Sequence, residues 1–169
     1  MSTYIPSEHF RTAENLIYEW ARCIDENRVE AIASLLCSDG RYTVKSRFNH
    51  DRQLPMAIID CHSPAQLRDR ILSMRIANIY APQHYRHMIS GVQIVGQSTD
   101  AGGVVTLQVR SNYLVVRTME LDGDMKIIST GQCQDEIVLD ATAAEGARFK
   151  SRLFLYDSRV IETLLIIPI

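Results

Sequence analysis

The sequence predicts an α+β fold in which N-terminal helices pack on one face of a strongly curved, mostly antiparallel sheet. Helical periodicity dominates up to Pro82, and strand-like runs joined by short turns follow. The run from Val104 to Met119 alternates apolar and polar residues without Gly or Pro. If straight, it would span about 50 Å, whereas a compact domain of this length has a diameter of about 40 Å. We therefore expect a bent sheet within a single domain over residues 1–169.

The composition and charge exclude several classes of function. Of the 169 residues, 46% are hydrophobic, and the formal net charge is −2 with no basic run, which argues against a nucleic-acid partner. Residues 1–15 lack the apolar segment of a signal peptide, and no apolar run is long enough to span a membrane. The four cysteines share no C-x-x-C spacing, which favours reduced thiols and a cytoplasmic location.

Two helices are predicted near the N-terminus, after a loose arm over residues 1–6. Ser7 is placed to cap a helix over Glu8–Asp25, which carries apolar residues at helical spacing. Asn27 is placed to cap a second, shorter helix, which Asp39-Gly40 ends. Two helices ahead of the strands would cover one face of a sheet.

A third helix has the clearest start in the chain. In Ser63-Pro64-Ala65-Gln66, the serine can cap the helix, the proline suits the first turn, and the glutamine completes a capping box. We expect its apolar stripe to consist of Leu67, Ile71, Leu72, Met74 and Ile76.

The remaining segments are predicted as strands and turns. Phe48–Gln53 and Gly96–Gly103 are expected to be loops, Asp122-Gly123 a hairpin turn, and Gly131 a bulge. The strand segments are Arg41–Arg47, Pro55–Cys61, His84–Val95, Val104–Met119, Met125–Leu139 and Arg148–Tyr156, the last continued by Val160–Ile167.

The longest of these strands changes character along its length. Its first half places apolar residues on one face, interrupted by Ser111, whereas both faces are apolar from Tyr113 to Val116. We expect this second half to be covered on both sides, by the helices or by a neighbouring subunit.

The sequence predicts no catalytic, cofactor-binding or metal-binding residue in this chain. His84 and His87 are three apart on a predicted strand, so their rings point to opposite faces and cannot share one metal ion. The ligand sets of a Rieske cluster or a non-haem iron are missing, as are a P-loop and a nucleophile elbow.

A curved sheet wrapped by helices can nevertheless hold a ligand, so we considered acid–base groups. Asp135 stands out because it shares the parity of the apolar residues on its strand and should therefore be paired. We interpret it as half of a structural ion pair with Arg86, Arg117 or Arg152, with Arg117 preferred, rather than as a catalytic base. The acid–base candidates are His87, Asp60, His62, Asp135 and Tyr42.

Two features near the C-terminus suggest turns and contacts. Tyr156-Asp157-Ser158 is typical of a turn. The uncharged tail Leu164–Ile169 must be covered, either by the core of this domain or by a partner chain. The candidates for structural ion pairs or interfaces are Arg86, His87, Arg117, Asp135, Arg152 and Asp157.

Several motifs, in their order and spacing, resemble the small (β) subunit of Rieske-type aromatic-ring-hydroxylating oxygenases. The resemblance extends over essentially the whole chain and is strongest to the branch acting on aromatic carboxylates such as salicylate, anthranilate, terephthalate or benzoate. The motifs are Asp69–Ile71 with Ala77–Tyr80, Tyr85–Gly91, Arg110–Thr118, Gly131–Asp135, and Lys150–Ser158 followed by Pro168-Ile169.

The resemblance implies a cystatin-like, NTF2-like cone that carries no cofactor. In that family the large (α) subunit holds the Rieske [2Fe–2S] cluster and the mononuclear iron. The two subunits commonly assemble as α3β3, with the β subunits forming a trimer and a reductase supplying electrons. Position 91 is Gly where many relatives carry Asn, so a contact made by that Asn does not transfer.

Two other functions remain open from the sequence. One is a stand-alone dehydratase or isomerase of the same fold, which would need His87 or His62 within reach of Asp60 or Asp135. The other is a small-ligand binding module.

Overall fold

The computed structural model describes residues 5–161 and 165–169. In chain order, the elements are α1 (Ser7–Asp25), a short 3₁₀ helix (Val29–Leu35), β1 (Leu36–Ser46), α2 (Arg47–Asp51), β2 (Ile59–Cys61), α3 (Pro64–Ile76), β3 (Gln83–Thr99), β4 (Val105–Met119), β5 (Met125–Leu139) and β6 (Ala147–Tyr156). The predicted α+β class, with helices ahead of a curved and mostly antiparallel sheet, is confirmed. Most of the predicted N-terminal arm, residues 1–4, lies outside the described residues.

The first helix begins one residue earlier than predicted. Pro6 occupies the N-cap position and Ser7 is the first helical residue, so the prediction that the Ser7 side chain caps the helix was wrong. The buried face of α1 lies against the sheet and consists of Ala13, Leu16, Ile17, Trp20, Ala21, Cys23 and Ile24.

The predicted second helix differs in type and in extent. Asn27 has a positive φ of 59° and lies in the connection rather than capping a helix. A 3₁₀ helix ends at Leu35, and Asp39-Gly40 lies inside β1, where the pairing with β6 is irregular between Leu36 and Arg41. Asp39-Gly40 lies at this irregularity, and the same pair is also typical of a helix C-terminus, which explains the wrong prediction.

Arg47–Asp51 forms the short helix α2, where the sequence predicted a loop over Phe48–Gln53. Its cap is Ser46, whose hydroxyl accepts a hydrogen bond of 3.1 Å from the Asn49 N–H. The predicted strand over Pro55–Cys61 shortens to β2.

The third helix has the predicted N-cap, but its buried apolar stripe is narrower than predicted. The Ser63 hydroxyl accepts the Gln66 N–H at 3.3 Å, whereas the Gln66 side chain accepts the N–H of His62 rather than that of Ser63. Leu67, Ile71 and Met74 are buried, but Leu72 and Ile76 are exposed, which corrects the predicted five-residue stripe.

The six strands form one sheet in the order β2-β1-β6-β5-β4-β3. All neighbours pair antiparallel except β1 and β6, whose parallel pairing joins the N-terminal half of the chain to the last strand. Residues 96–99 belong to β3 rather than to a loop. Residues 160–161 and 165–167 are not in a strand, so β6 is not continued as predicted.

The sheet bends at register shifts between paired strands, and these lie at other positions than the bulge predicted from the sequence. Register shifts occur between Val115 and Val116, and also in the β3–β4 and β5–β6 pairings. Gly131 pairs regularly with both neighbouring strands, so the predicted bulge there was wrong. A Cβ at this position would lie 1.9 Å from the backbone oxygen of Leu155, which shows that glycine permits a close approach of β6.

Candidate functional site

The inner face of the bent sheet and α1 enclose an aromatic interior. The Trp20 ring lies 5.1 Å from that of Tyr42 and 5.6 Å from that of Phe149, measured between centroids. Phe154 continues the cluster, with its ring 6.1 Å from Tyr42 and 4.9 Å from Tyr113 in edge-on geometry. Such offset and edge-on pairs stabilise a packed core.

Residues 165–169 extend into this interior. The indole N–H of Trp20 donates a hydrogen bond of 3.2 Å to the backbone oxygen of Ile169, and the Tyr42 hydroxyl donates to the same oxygen at 2.9 Å. The Ile169 N–H donates to the Tyr42 hydroxyl oxygen at 3.1 Å, and Arg70 donates to the Leu165 oxygen at 2.7 Å. The apolar tail was expected to be covered either by the core of this domain or by a partner chain. The core buries Leu165 and Ile169, whereas Leu164 lies outside the described residues.

Asp135 and Arg152 form a fully buried ion pair beside these aromatic rings. Arg152 Nη1 lies 3.0 Å from Asp135 Oδ2, and both side chains have no exposed surface. Adjacent strands place them together, because Asp135 and Arg152 are direct cross-strand partners on β5 and β6. The guanidinium carbon also lies 4.4, 4.8 and 5.1 Å from the ring centroids of Phe149, Phe154 and Trp20.

Burial dominates the electrostatics of this pair. Desolvation raises the pKa of Asp135 to about 6, against the opposing effect of the Arg152 charge. Asp135 Oδ1 and the Nε and Nη2 atoms of Arg152 are buried without a hydrogen-bond partner among the described residues, as is Ser111 Oγ. The pair is therefore incompletely satisfied and costly to hold in the core.

Of the three arginines that the sequence offered as partners for Asp135, the structure pairs it with Arg152, so the preference for Arg117 was wrong. Arg117 lies near the β4–β5 hairpin, 3.5 Å from Asp124, and Arg86 points to solvent. Asp157 forms an ion pair with Arg47 and accepts a hydrogen bond of 3.1 Å from Thr130. Arg117 keeps the inward parity of Val115, but the cross-strand partner of Asp135 on β4 is Val109, eight residues before Arg117, so the two side chains lie too far apart along the sheet to pair.

His87 has a partner that the sequence did not suggest. Its Nδ1 lies 2.6 Å from Asp25 Oδ1, and its backbone N–H donates to Asp25 Oδ2 at 3.0 Å. The two side chains are 1% and 8% exposed, and His87 Nε2 is buried without a partner among the described residues. Asp25 is the last residue of α1, where the helix dipole disfavours a carboxylate, and that position is the signal that a tertiary partner exists.

The other acid–base candidates lie apart from this pair. Asp60 lies on β2, and His62 directly follows that strand. Both side chains are exposed, and His62 Nε2 lies 3.3 Å from Asp60 Oδ2. Tyr42 is engaged by the chain's C-terminal segment, and burial raises its pKa above the ordinary value. Of the pairings that a stand-alone dehydratase or isomerase would need, the structure therefore forms His62 with Asp60, but on the exposed surface rather than in the interior, and it brings neither His87 nor His62 to Asp135.

Within residues 5–161 and 165–169, no three His, Cys, Asp or Glu side chains are grouped so that they could hold a metal ion. His84 and His87 do lie on opposite faces of β3: His84 is exposed and 3.5 Å from Glu120, whereas the His87 side chain is buried. Of the helices described, none is long and apolar enough to cross a membrane.

A cavity of about 330 Å³ opens between the end of α1, α3 and the start of β3. Tyr80, Tyr85 and Met74 supply apolar walls, and Asp25 lines one side. Because the Asp25 carboxylate already accepts two hydrogen bonds from His87, it is not presented to this cavity as a free base.

The outer face of β3, β4 and β5 has two zones. An apolar strip lies at the end nearest the β4–β5 hairpin, where cross-strand partners place five apolar side chains together: Met88, Leu114, Val116, Met125 and Ile127. Leu114 and Val116 are half-buried, and no helix among the described residues packs broadly on β4. Of the two covers expected for this half of the strand, the helices therefore do not supply the one over its outer face, and cover by a neighbouring subunit stays a prediction.

The second zone is an amide-rich strip with few charges. The Arg110 guanidinium donates to the Gln93 side-chain oxygen at 2.6 and 2.9 Å. A groove of about 570 Å³ runs along this strip, with Val95 and Leu153 among its walls. The strip's amide and hydroxyl residues are Ser90, Gln93, Gln108, Asn112, Gln132 and Gln134.

Comparison with known proteins gives one family match and several full-length relatives. A SnoaL-like domain matches residues 9–152. The small subunit of anthranilate 1,2-dioxygenase from Burkholderia cepacia is 34% identical over 146 residues, which cover 86% of this chain and 85% of that subunit. The β2 subunit of the terminal oxygenase component of terephthalate 1,2-dioxygenase from a Comamonas species is 30% identical over 151 residues, 89% of this chain and 92% of that subunit.

Solved structures give the same result. A chain from Novosphingobium aromaticivorans, assigned to the β subunit of an aromatic-ring-hydroxylating dioxygenase, superposes with a TM-score of 0.82 at 30% identity, over 96% of this chain and 98% of that one. The β subunit of benzoate 1,2-dioxygenase from Burkholderia mallei has the same fold, with a TM-score of 0.66 at 15% identity over 99% and 100% of the two chains.

Proposed function

The chain belongs to the SnoaL-like domain family and to the small subunits of aromatic-ring-hydroxylating dioxygenases, and from this premise we propose that it is a non-catalytic β subunit. It supports the assembly of a large α subunit that carries the Rieske [2Fe–2S] cluster and the mononuclear iron. The observation that carries this proposal is the match to the anthranilate dioxygenase small subunit along 85% of that subunit's length.

The packing of the interior supports a non-catalytic role for this chain. Enzymes of such folds need an open pocket with convergent polar groups. In this chain Trp20 and Tyr42 bind the backbone of Ile169 inside the cone. The buried charged groups of the interior are engaged in two pairs, Asp135 with Arg152 and Asp25 with His87, rather than converging on a pocket.

The outer face of the sheet supports a role in assembly. Solvent-exposed surfaces usually carry many charged residues, whereas the apolar and amide-rich strips carry few. Three strands spaced by about 4.8 Å and about 50 Å long offer about 700 Å², close to the roughly 800 Å² that each partner buries in a standard interface. We therefore propose that this face contacts other subunits in a β trimer, within an α3β3 complex.

The remaining parts of the proposal follow from the relatives. Their names specify anthranilate and terephthalate as substrates, so the proposed substrate class is an aromatic carboxylate. A reductase supplies electrons through the complex, and the complex works in the cytoplasm.

Co-expression tests this proposal. The chain is produced together with the large subunit encoded by a neighbouring Rieske-type reading frame, and the tagged chain is purified. We expect a coloured complex that, with its reductase, hydroxylates an aromatic acid. A colourless chain that purifies without the large subunit would contradict the proposal.

A further inference from the structure

Two arginines enclose a phenylalanine at the end of the sheet where β1 and β6 finish. The guanidinium carbons of Arg52 and Arg159 each lie 3.9 Å from the centroid of the Phe48 ring. Two guanidinium groups at this distance cannot occupy the same face of one ring, so they sandwich it, with their charges about 8 Å apart. We call Arg52, Phe48 and Arg159 the arginine clamp.

The clamp is a preorganised cationic surface. Stacking on the ring fixes the guanidinium planes and leaves their N–H groups available at the edges, which suits carboxylate partners. Among the described residues, the ion pair at this end joins Arg47 to Asp157, and none joins Arg52 or Arg159. Like charges about 8 Å apart repel each other, so an acidic partner would relieve this repulsion.

Exposed apolar side chains adjoin the clamp. The loop after α2 is fixed to that helix, because the Leu54 N–H donates to the Asn49 oxygen at 2.8 Å and the Asn49 side chain donates to the Met56 oxygen at 3.1 Å. This loop presents Leu54 and Met56 to solvent, with Met56 73% exposed. The surface therefore offers two cations beside an apolar platform.

The β4–β5 hairpin of the same chain has the complementary chemistry. Its turn reads Glu120-Leu121-Asp122-Gly123-Asp124, three carboxylates around a leucine that is 82% exposed. Glu120 and Asp124 each have one distant partner within the chain, His84 and Arg117 at 3.5 Å, and both carboxylates remain about half exposed. The first residue of β5 that pairs with β6 is Gly131, so the hairpin extends about 20 Å past the end of β6. A backbone hydrogen bond of 2.9 Å from Met119 to Asp124 and the positive φ of Gly123 hold the turn in shape.

We propose that the β4–β5 hairpin of one copy of this chain docks on the arginine clamp of the next copy. The carboxylates of Glu120 and Asp124 face the two guanidinium groups, and Leu121 packs on the loop that carries Met56. The contact joins two different surfaces, so it is heterologous and closes a ring when the rotation fits. The inference rests on the proposed self-association of the β subunit and specifies one of its contacts.

Paired charge reversals test the contact by sedimentation equilibrium of the purified chain. We expect R52E/R159E and E120K/D124K each to weaken self-association by about tenfold or more, because they place like charges opposite each other. A chain that carries all four substitutions restores complementarity and should regain most of the affinity. R11E/R41E, at exposed positions elsewhere, changes the net charge as much as the clamp variant does and should associate like the wild type.

The outcomes separate this inference from the proposed function. The fluorescence of Trp20, the single tryptophan, verifies that each variant is folded. The inference is overturned if the clamp variant associates like the wild type, if the fourfold variant is no better than either parent, or if the wild-type chain does not self-associate. It is also overturned if the clamp variant stays a trimer and loses the large subunit, because the clamp then binds that subunit. Co-purification of the wild-type chain with the large subunit tests the proposed function independently of all these results.

Discussion

Replacing Arg152 with Met removes the cation from the buried ion pair and leaves the Asp135 carboxyl in the core. Neither side chain has any exposed surface, so water cannot replace the lost partner. Breaking such a pair typically costs about 3–5 kcal/mol. The three aromatic rings within 4.4 to 5.1 Å of the guanidinium carbon lose a cation–π contact as well. We expect a loss of about 4 kcal/mol, a large part of the 5–15 kcal/mol typical of a domain.

Urea unfolding followed by Trp20 fluorescence measures this loss, because Trp20 is the single tryptophan and lies against Arg152. The matched control is R148M, which removes the half-exposed pair of Arg148 with Asp140 at 3.0 Å and should cost much less. D135L/R152M removes both charges and should recover most of the lost stability. If R152M lowers the free energy of unfolding no more than R148M does, Asp135 and Arg152 do not form a buried charge pair.

The pH dependence of stability gives a second test of the same pair. Burial raises the folded-state pKa of Asp135 from 3.8 to about 6, so the folded state favours the neutral carboxyl. The stabilising contribution of this protonation is full below about pH 3.8 and is lost as the pH rises through about 6. The wild type should therefore lose stability relative to D135N between about pH 4 and pH 7. An unchanged difference across that range would contradict the raised pKa.

Three further predictions concern other parts of the fold. G131A should prevent soluble expression or cost several kcal/mol, because its Cβ would lie 1.9 Å from a backbone oxygen of β6, whereas G102A should be tolerated. D25A should lower the free energy of unfolding by about 2–3 kcal/mol, because it leaves two buried donors of His87 unpaired; hydrogen exchange of the His87 amide should accelerate. Deleting residues 164–169 should reduce solubility or assembly and increase binding of a hydrophobic dye, because the aromatic interior loses its cover.

Each of these predictions has a contradicting result. A G131A variant with wild-type stability would mean that β6 does not approach β5 closely at this residue. Unchanged amide exchange at His87 in D25A would mean that the carboxylate is not its acceptor. An unchanged hexamer after the C-terminal deletion would show that the tail is dispensable for assembly.

The sequence predicted the elements whose signals are local. Alternation identified β4 to within one residue and β5 throughout, and Asp122-Gly123 marked the hairpin between them. Ser63 marked the start of α3, because its hydroxyl caps the N–H of Gln66, only three residues further along the chain. The inward orientation of Asp135 also followed from strand parity.

The sequence could not predict features that depend on distant pairing. The parallel pairing of β1 with β6 brings together segments about a hundred residues apart, and no local pattern encodes it. Parity did not exclude Arg117 because it gives the face of a side chain and not its position along the sheet: the register pairs Asp135 with Val109, eight residues before Arg117. The hydrogen bonds from Trp20 and Tyr42 to Ile169 likewise join opposite ends of the chain.

Native mass spectrometry of the co-expressed complex tests the central claim most directly. The claim is that this chain is a stoichiometric subunit of an oxygenase. It predicts a single species with equal numbers of large and small chains, three of each, that retains its iron. A large subunit that assembles and retains activity with none of this chain bound, while the chain itself appears as a separate species, would contradict it.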